Sequence, residues 1–248
     1  MREFLIFRLY GMMASWGDIA PGEVRPTFDR PSKSAVMGLI AAALGIRRDE
    51  EERQRELALG YLLAIRIDSP GSLMRDYHTV QVPPAGNSGM NDSFTTRRDE
   101  LAVPGEELNT ILTSRDYRSD AVYTICLWGR SASPPYSPAT MQGALENPVF
   151  VLYLGRKSCP LSLPLHPRVV TADNLAEALQ AVRFPDNPFI APLLCRHEAR
   201  VFWEGDEMSG FDREQTVLRR DDLSSRKRWQ FQDRREYSAL IGAPRGGL

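Results

Sequence analysis

Six segments of this chain follow one another as strand, helix, strand, strand, helix, strand, and that order restricts the fold more than any other feature of the sequence. Residues 3–9 (EFLIFRL) are rich in β-formers, predict a strand buried on at least one face, and end at Gly11. An irregular stretch holding Gly17, Pro21, Gly22, Pro26 and Pro31 precedes a helix. Ser32 or Ser34 can cap that helix, Val36, Ile40 and Ala43 share one stripe, and Gly45 is placed to end it. Gly38 inside the helix costs up to ~1 kcal/mol relative to alanine, which predicts close approach by another backbone. The charged run 47–56 reads as a short solvated helix. Residues 61–68 (YLLAIRID) and 120–128 (DAVYTICLW) are the second and third strands, 137–145 the second helix, and 149–152 a short fourth strand. The expected class is α+β with a ferredoxin-like core over residues 1–170. A C-terminal helix and β-rich extension, residues 171–248, would pack on it, with strands at 199–203 and 215–219 and a basic, Gly-rich tail.

Between the second and third strands, residues 77–119 contain Pro83, Pro84, Gly86, Gly89, Asn91, Pro104 and Gly105 and no sustained apolar period. A connection far beyond ~15 residues is uncommon in a compact domain and is usually functional or disordered. Residues 81–116 therefore read as an arm projecting from the core toward a partner, with Arg97, Arg98, Arg115 and Arg118 among Phe94, Leu108 and Tyr117.

The 248 residues carry a net charge of −1, but the charge is uneven along the chain. Residues 1–48 hold seven basic and four acidic groups, and residues 213–245 nine basic and five acidic. Only Lys33, Lys157 and Lys227 are lysines, so the positive charge is almost all guanidinium, which suits phosphate and stacks on bases. Arginine-rich coding alone gives the same bias, so a site needs more than this. Arg2, Glu3 and Arg8 interrupt the first apolar stretch, so no signal peptide is expected there, and no window approaches a membrane span. A cytoplasmic protein with no membrane partner is the expectation. Cys126, Cys159 and Cys195 are odd in number and widely spaced, against a disulfide framework. A metal set of Cys159, His166, Cys195 and His197 has no supporting Cys-x-x-Cys or His-x-x-x-His pair, so buried thiols and no metal are expected.

No phosphate-loop lysine motif, Gly-x-Ser-x-Gly elbow, His-Glu-x-x-His or dinucleotide fingerprint occurs, and no cofactor is expected. Four clusters combine Gly or Pro punctuation with cations, hydroxyls or aromatics: LYG at 9–11 with SWG at 15–17, RPTFDRPSKS at 25–34, RDYHTV at 75–80, and YLGRKSCPL at 153–161. This is the chemistry of phosphate contact and stacking of unpaired bases. Ser32, Lys33 and Ser34 open a helix, where free N–H groups beside a lysine make an anion site; capping with a solvated lysine is the plainer reading. His78 beside Tyr77 is a candidate general base, or a hydrogen-bonded residue at a strand end. Arg156 and Lys157, between Gly155 and Ser158, form a phosphate clamp or a charged turn.

In order and spacing these strings resemble the CasD family of type I-E CRISPR Cascade complexes. The resemblance runs through FLIFRLYGMMASWG, RPTFDRPSKSAVMGLIAAALGIRRD, RDYHTV, TSRDYRSDAVYTICLW and YLGRKSCPL and fades after residue 165; the arm is longer than the family pattern. It implies a RAMP or RRM-like core with a thumb between its second and third strands. It also implies an RNA-binding ribonucleoprotein subunit of antiviral defence that holds the repeat-derived 5′ handle of crRNA. Such a subunit caps a backbone of CasC subunits near CasA, and the assembled complex reads target DNA. On this chain the RNA contacts fall at Arg25, Arg30, Ser32, Lys33 and Ser34, then Arg75, Tyr77 and His78. They continue at Arg115 and Tyr117 where the thumb returns, and at Arg156, Lys157 and Ser158. The family is non-catalytic in type I-E; type I-C relatives cut precursor crRNA without metal, so the alternative is a metal-independent endoribonuclease using His78, Tyr77 and Lys33.

Overall fold

A computed structural model describes residues 1–20, 22–83, 95–195, 198–205 and 209–242. It contains β1 (Arg2–Tyr10), β2 (Met13–Ala14), β3 (Val24–Arg25), α1 (Lys33–Ala43), α2 (Glu51–Gly60), β4 (Tyr61–Ser69) and β5 (Ser72–Val82). These are followed by α3 (Arg97–Glu100), β6 (Asn109–Ser119), β7 (Val122–Gly129), α4 (Pro138–Glu146), β8 (Arg168–Ala172) and α5 (Leu175–Ala181). The chain closes on β9 (Glu198–Trp203), β10 (Gln215–Ser225) and β11 (Gln230–Gly242). Seven strands form one sheet in the order β10-β11-β9-β4-β7-β1-β8, with every pairing antiparallel.

The apolar run in β1 is buried on both faces. Leu5, Phe7 and Leu9 join a core with α1 and α4, while Phe4 and Ile6 join a second core with α5 and with Val201 and Trp203 of β9. Alternate residues of a strand point to opposite faces, so a run apolar at consecutive positions needs cover on both. Helix α5 supplies cover on the second face, and the C-terminal strands extend the sheet at β4. At α1, Ser32 caps the helix by accepting from the Ala35 N–H, and Gly45, at φ +75°, follows the C-cap Leu44.

Four expectations need correction. Residues 149–152 are not a strand: Val149 and Phe150 donate to the Ala43 and Ala42 carbonyls at the end of α1, and the core's fourth strand is β8. The arm is not irregular throughout, because β5 and β6 pair over eleven positions as a long ribbon; residues 84–94, including Phe94, lie outside the described residues. Its apolar residues, such as Leu73, Met74, Tyr77 and Val80 in β5 and Ile111 and Leu112 in β6, fall at irregular spacing on an exposed ribbon, so no strand period marks it. The charged helix runs to Gly60 and leads straight into β4. Gly38 faces a side chain and no other backbone: a Cβ there would lie 3.8 Å from the Arg226 guanidinium. The tail at 243–248 and His197 lie outside the described residues.

Candidate nucleic-acid interface

Three of the sequence clusters meet beside the base of the ribbon. The two-residue strand β3 lies parallel to β6, with Val24 opposite Ser114 and Arg25 opposite Arg115. The 153–160 loop is pinned alongside: Ser15 N–H donates to the Leu154 carbonyl at 3.0 Å, and Leu154 N–H to Cys159 O at 2.8 Å. Gly155, at φ +84°, lies so close to Ser15 that a Cβ would be 1.8 Å from its carbonyl oxygen, so only glycine allows this approach. The turn beyond it carries Arg156 over the Tyr117 ring, 4.9 Å from the centroid, and the Arg156 guanidinium donates to the Arg25 carbonyl at 3.5 Å. Lys157 and Ser158 are exposed next to it.

Arg25, Arg115, Arg156 and Lys157 thus converge from three segments, and none of them forms an ion pair among the described residues. Arg156 Nη1 is buried without a hydrogen-bond partner. The nearby carboxylate Asp116 is taken: Arg75 grips it in a fork, at 2.7 and 3.0 Å. That hydrogen bonding by Arg75, with the charge of Arg156 adding to it, holds the Asp116 carboxyl below its usual range. The outcome is a surface of guanidinium and ammonium groups without ion-pair partners among the described residues, which fits phosphates; the Tyr117 ring beneath Arg156 is buried and only holds that guanidinium in place.

Other expected residues lie elsewhere. Lys33 is buried, with its ammonium 2.9 Å from Glu204 Oε1 and 3.2 Å from Asp222 Oδ1, and so cannot reach a phosphate. The α1 N-terminus is not an open anion site either, since Asp221 accepts the Lys33 N–H at 2.9 Å and Ser32 accepts that of Ala35. Arg30 is buried too, paired with Asp29 and Glu236 and stacked over Phe202 at 3.6 Å. Ser32 and Ser34 hydrogen-bond each other at 3.0 Å and remain partly exposed beside a groove. Tyr77 and His78 sit in mid-ribbon, not at a strand end; Tyr77 is 63% exposed, and His78 Nε2 contacts Asp76. As neighbours on a strand they point to opposite faces, and Lys33 is buried away in the core, so the candidate catalytic trio is not assembled.

The sequence reading missed one region. A groove of about 750 Å³ leads from Gly155 and Lys157 along α1 to Arg47, Arg48, Arg226 and Trp229. The only hint of it was a tryptophan closing the RKRW run at 226–229. Two of the C-terminal basic residues do not face solvent: Arg219 and Arg234 are buried, and Arg234 pairs with Asp221 and Glu236. Burial also raises the thiols of Cys126 and Cys159, and no group of metal-binding side chains occurs among the described residues. No described helix is long and apolar enough to cross a membrane.

Known proteins are similar to this chain over most of its length. It is 34% identical over 185 residues to the CRISPR system Cascade subunit CasD of Escherichia coli (strain K12), a match covering 72% of this chain and 76% of that protein. Two solved structures superpose at 25% identity: a CRISPR RNA-guided surveillance complex, with a TM-score of 0.62 and coverage of 96% of this chain and 89% of that one, and a Cas protein, with 0.60, 97% and 95%. Residues 4–237 match the family described as CRISPR-associated protein (Cas5), from the first core strand through most of β11, and the chain belongs to that family.

Proposed function

We propose that this chain is a non-catalytic, RNA-binding subunit of a type I-E Cascade effector. It holds the repeat-derived 5′ handle of crRNA and caps one end of a CasC backbone beside CasA, so that the assembled complex can recognise target DNA. The observation that carries this reading is the meeting of Arg25, Arg115 and Arg156 from three distant segments, with Arg156 held over the buried Tyr117 ring and without ion-pair partners among the described residues. Uncompensated cations of this kind suit an external polyanion such as an RNA backbone. The order β4-β7-β1-β8, with α1 and α4 on one face, supports a ferredoxin-like RAMP core in which the β5–β6 ribbon is the thumb. The separation of Lys33, Tyr77 and His78 argues against the endoribonuclease alternative.

Incubating the purified chain with cognate repeat RNA in EDTA tests this directly. Binding that weakens steeply with salt, without cleavage, is the expected result. Specific cleavage lost in His78→Ala, or affinity insensitive to salt, would overturn it.

A further inference from the structure

The turn joining β10 to β11 holds the chain's one solvent-facing tryptophan. Trp16, Trp128 and Trp203 are at most 5% exposed, whereas Trp229 is 56% exposed. Its backbone is left-handed, at φ +51°. A bulky residue is rarely found in that region, where glycine or asparagine would sit without strain, and such strain concentrates at functional positions. Two guanidiniums lie over the ring: Arg226 at 4.5 Å and, from the segment after α1, Arg48 at 5.6 Å. Neither forms an ion pair among the described residues, and Arg226 Nε is buried without a hydrogen-bond partner. Burial and the charge of Arg48 both weaken the hold of Arg226 on its proton, as expected of two like charges held together without a counterion. The same groove continues to Lys157, and its lining holds a single carboxylate, Asp18, against four cations.

We propose that Trp229 is a base-stacking platform, and that with Arg48, Arg226 and Lys157 it takes one unpaired nucleotide of a single-stranded RNA. The C-terminal extension would then complete the RNA-binding surface. The inference rests on the RNA-binding reading given above and assigns it a second contact region. An aromatic face receives the base, and paired guanidiniums receive the phosphate, which removes their mutual repulsion.

Intrinsic fluorescence reads this site, because the other three tryptophans are buried beyond contact with a bound base, so a quench on binding reports Trp229. Titrating the full chain with single-stranded repeat RNA labelled for anisotropy should quench tryptophan emission in step with binding, whereas a duplex of the same sequence should not. Trp229→Gly should weaken RNA binding roughly tenfold to a hundredfold. It should leave the thermal midpoint unchanged or raised, because glycine relieves the left-handed strain. Trp229→Phe should bind RNA with near-normal affinity and no quench. If RNA binds but emission is unmoved and Trp229→Gly binds as tightly as the parent, the platform is excluded while the RNA-binding function stands. A midpoint that drops sharply in Trp229→Gly with affinity intact would make Trp229 a structural residue. If the parent chain binds no RNA at all, the function itself falls, and this site with it.

Discussion

The Lys33 ammonium lies 2.9 Å from a Glu204 carboxylate oxygen, and this contact ties the start of α1 to the segment just after β9. Both groups are buried, and Glu204 also accepts the Leu63 N–H of β4 at 2.9 Å, so one carboxylate links the first helix, a core strand and the C-terminal extension. Removing one partner of a buried pair leaves the other charge uncompensated, at a cost of ~3–5 kcal/mol. Lys33→Met should lose about that much in urea unfolding. The folded fraction should bind RNA as the parent does; a stable Lys33→Met protein with weakened RNA binding would mean that Lys33 contacts RNA after all.

The neighbouring network sets a pH dependence. Burial works against the Glu236 charge, but Arg234, Arg30 and Arg219 outweigh it and hold this carboxyl below its ordinary value. A carboxyl depressed in the folded state contributes stability above its unfolded value of about 4.5, and that stability is lost as pH falls through the lower folded value. Unfolding at a series of pH values should therefore show acid destabilisation setting in below about pH 4.5. Glu236→Gln should be less stable at neutral pH, with a shallower acid slope; an unchanged slope would exclude Glu236 as the titrating group.

The core was legible because its signals are local. The apolar runs of β1, β4 and β7, the Ser32 cap and the Gly45 stop each follow from a few adjacent residues. The convergence of Arg25, Arg115 and Arg156 was only half legible: each lay in a marked string, but the parallel pairing of β3 with β6 that joins them is a long-range event. Lys33 went wrong for the same reason. A lysine between two serines at a helix start reads as solvated, and its partners Glu204 and Asp222 stand far along the sequence. Residues 149–152 had a strand's composition, yet the Val149 and Phe150 N–H groups are claimed by the end of α1.

Gly155 is where backbone geometry positions the interface. At φ +84° an L side chain costs ~1–2 kcal/mol, and a Cβ 1.8 Å from Ser15 O forces the loop away as well. Gly155→Ala should thus destabilise by more than ~2 kcal/mol and also weaken RNA binding, although it removes no charge. Retained affinity in a folded Gly155→Ala protein would separate the 156–158 turn from the RNA.

Lys157 is exposed and unpaired among the described residues, so truncating it should not affect the fold. If it neutralises one phosphate, Lys157→Ala should lower the slope of log affinity against log salt by about 0.7, the single-strand value. The loss should be similar across RNA sequences, since phosphate contacts carry no base information. A slope identical to the parent's would remove Lys157 from the interface.

The ribbon separates folding from assembly. No described residue between 95 and 113 is buried, so that part of the arm contributes no core contacts. The base of the ribbon differs: Ser114, Asp116 and Tyr117 are buried, Ser15 donates to the Asp116 carbonyl at 3.0 Å, and Arg75 clamps the Asp116 side chain. Replacing residues 81–113 by a short Gly-Ser linker keeps that base paired, and loop closure depends only weakly on length. The shortened protein should unfold within about 1 kcal/mol of the parent. If the ribbon reaches a neighbouring subunit and the RNA, however, the shortened protein should fail to co-purify with crRNA and its partner subunits. Arg115→Ala at the retained base should reproduce part of that loss, through one charge-assisted contact worth ~1.5–3 kcal/mol. Normal assembly of the shortened protein would make the ribbon dispensable and leave RNA holding to the surface around Arg25 and Arg156 alone.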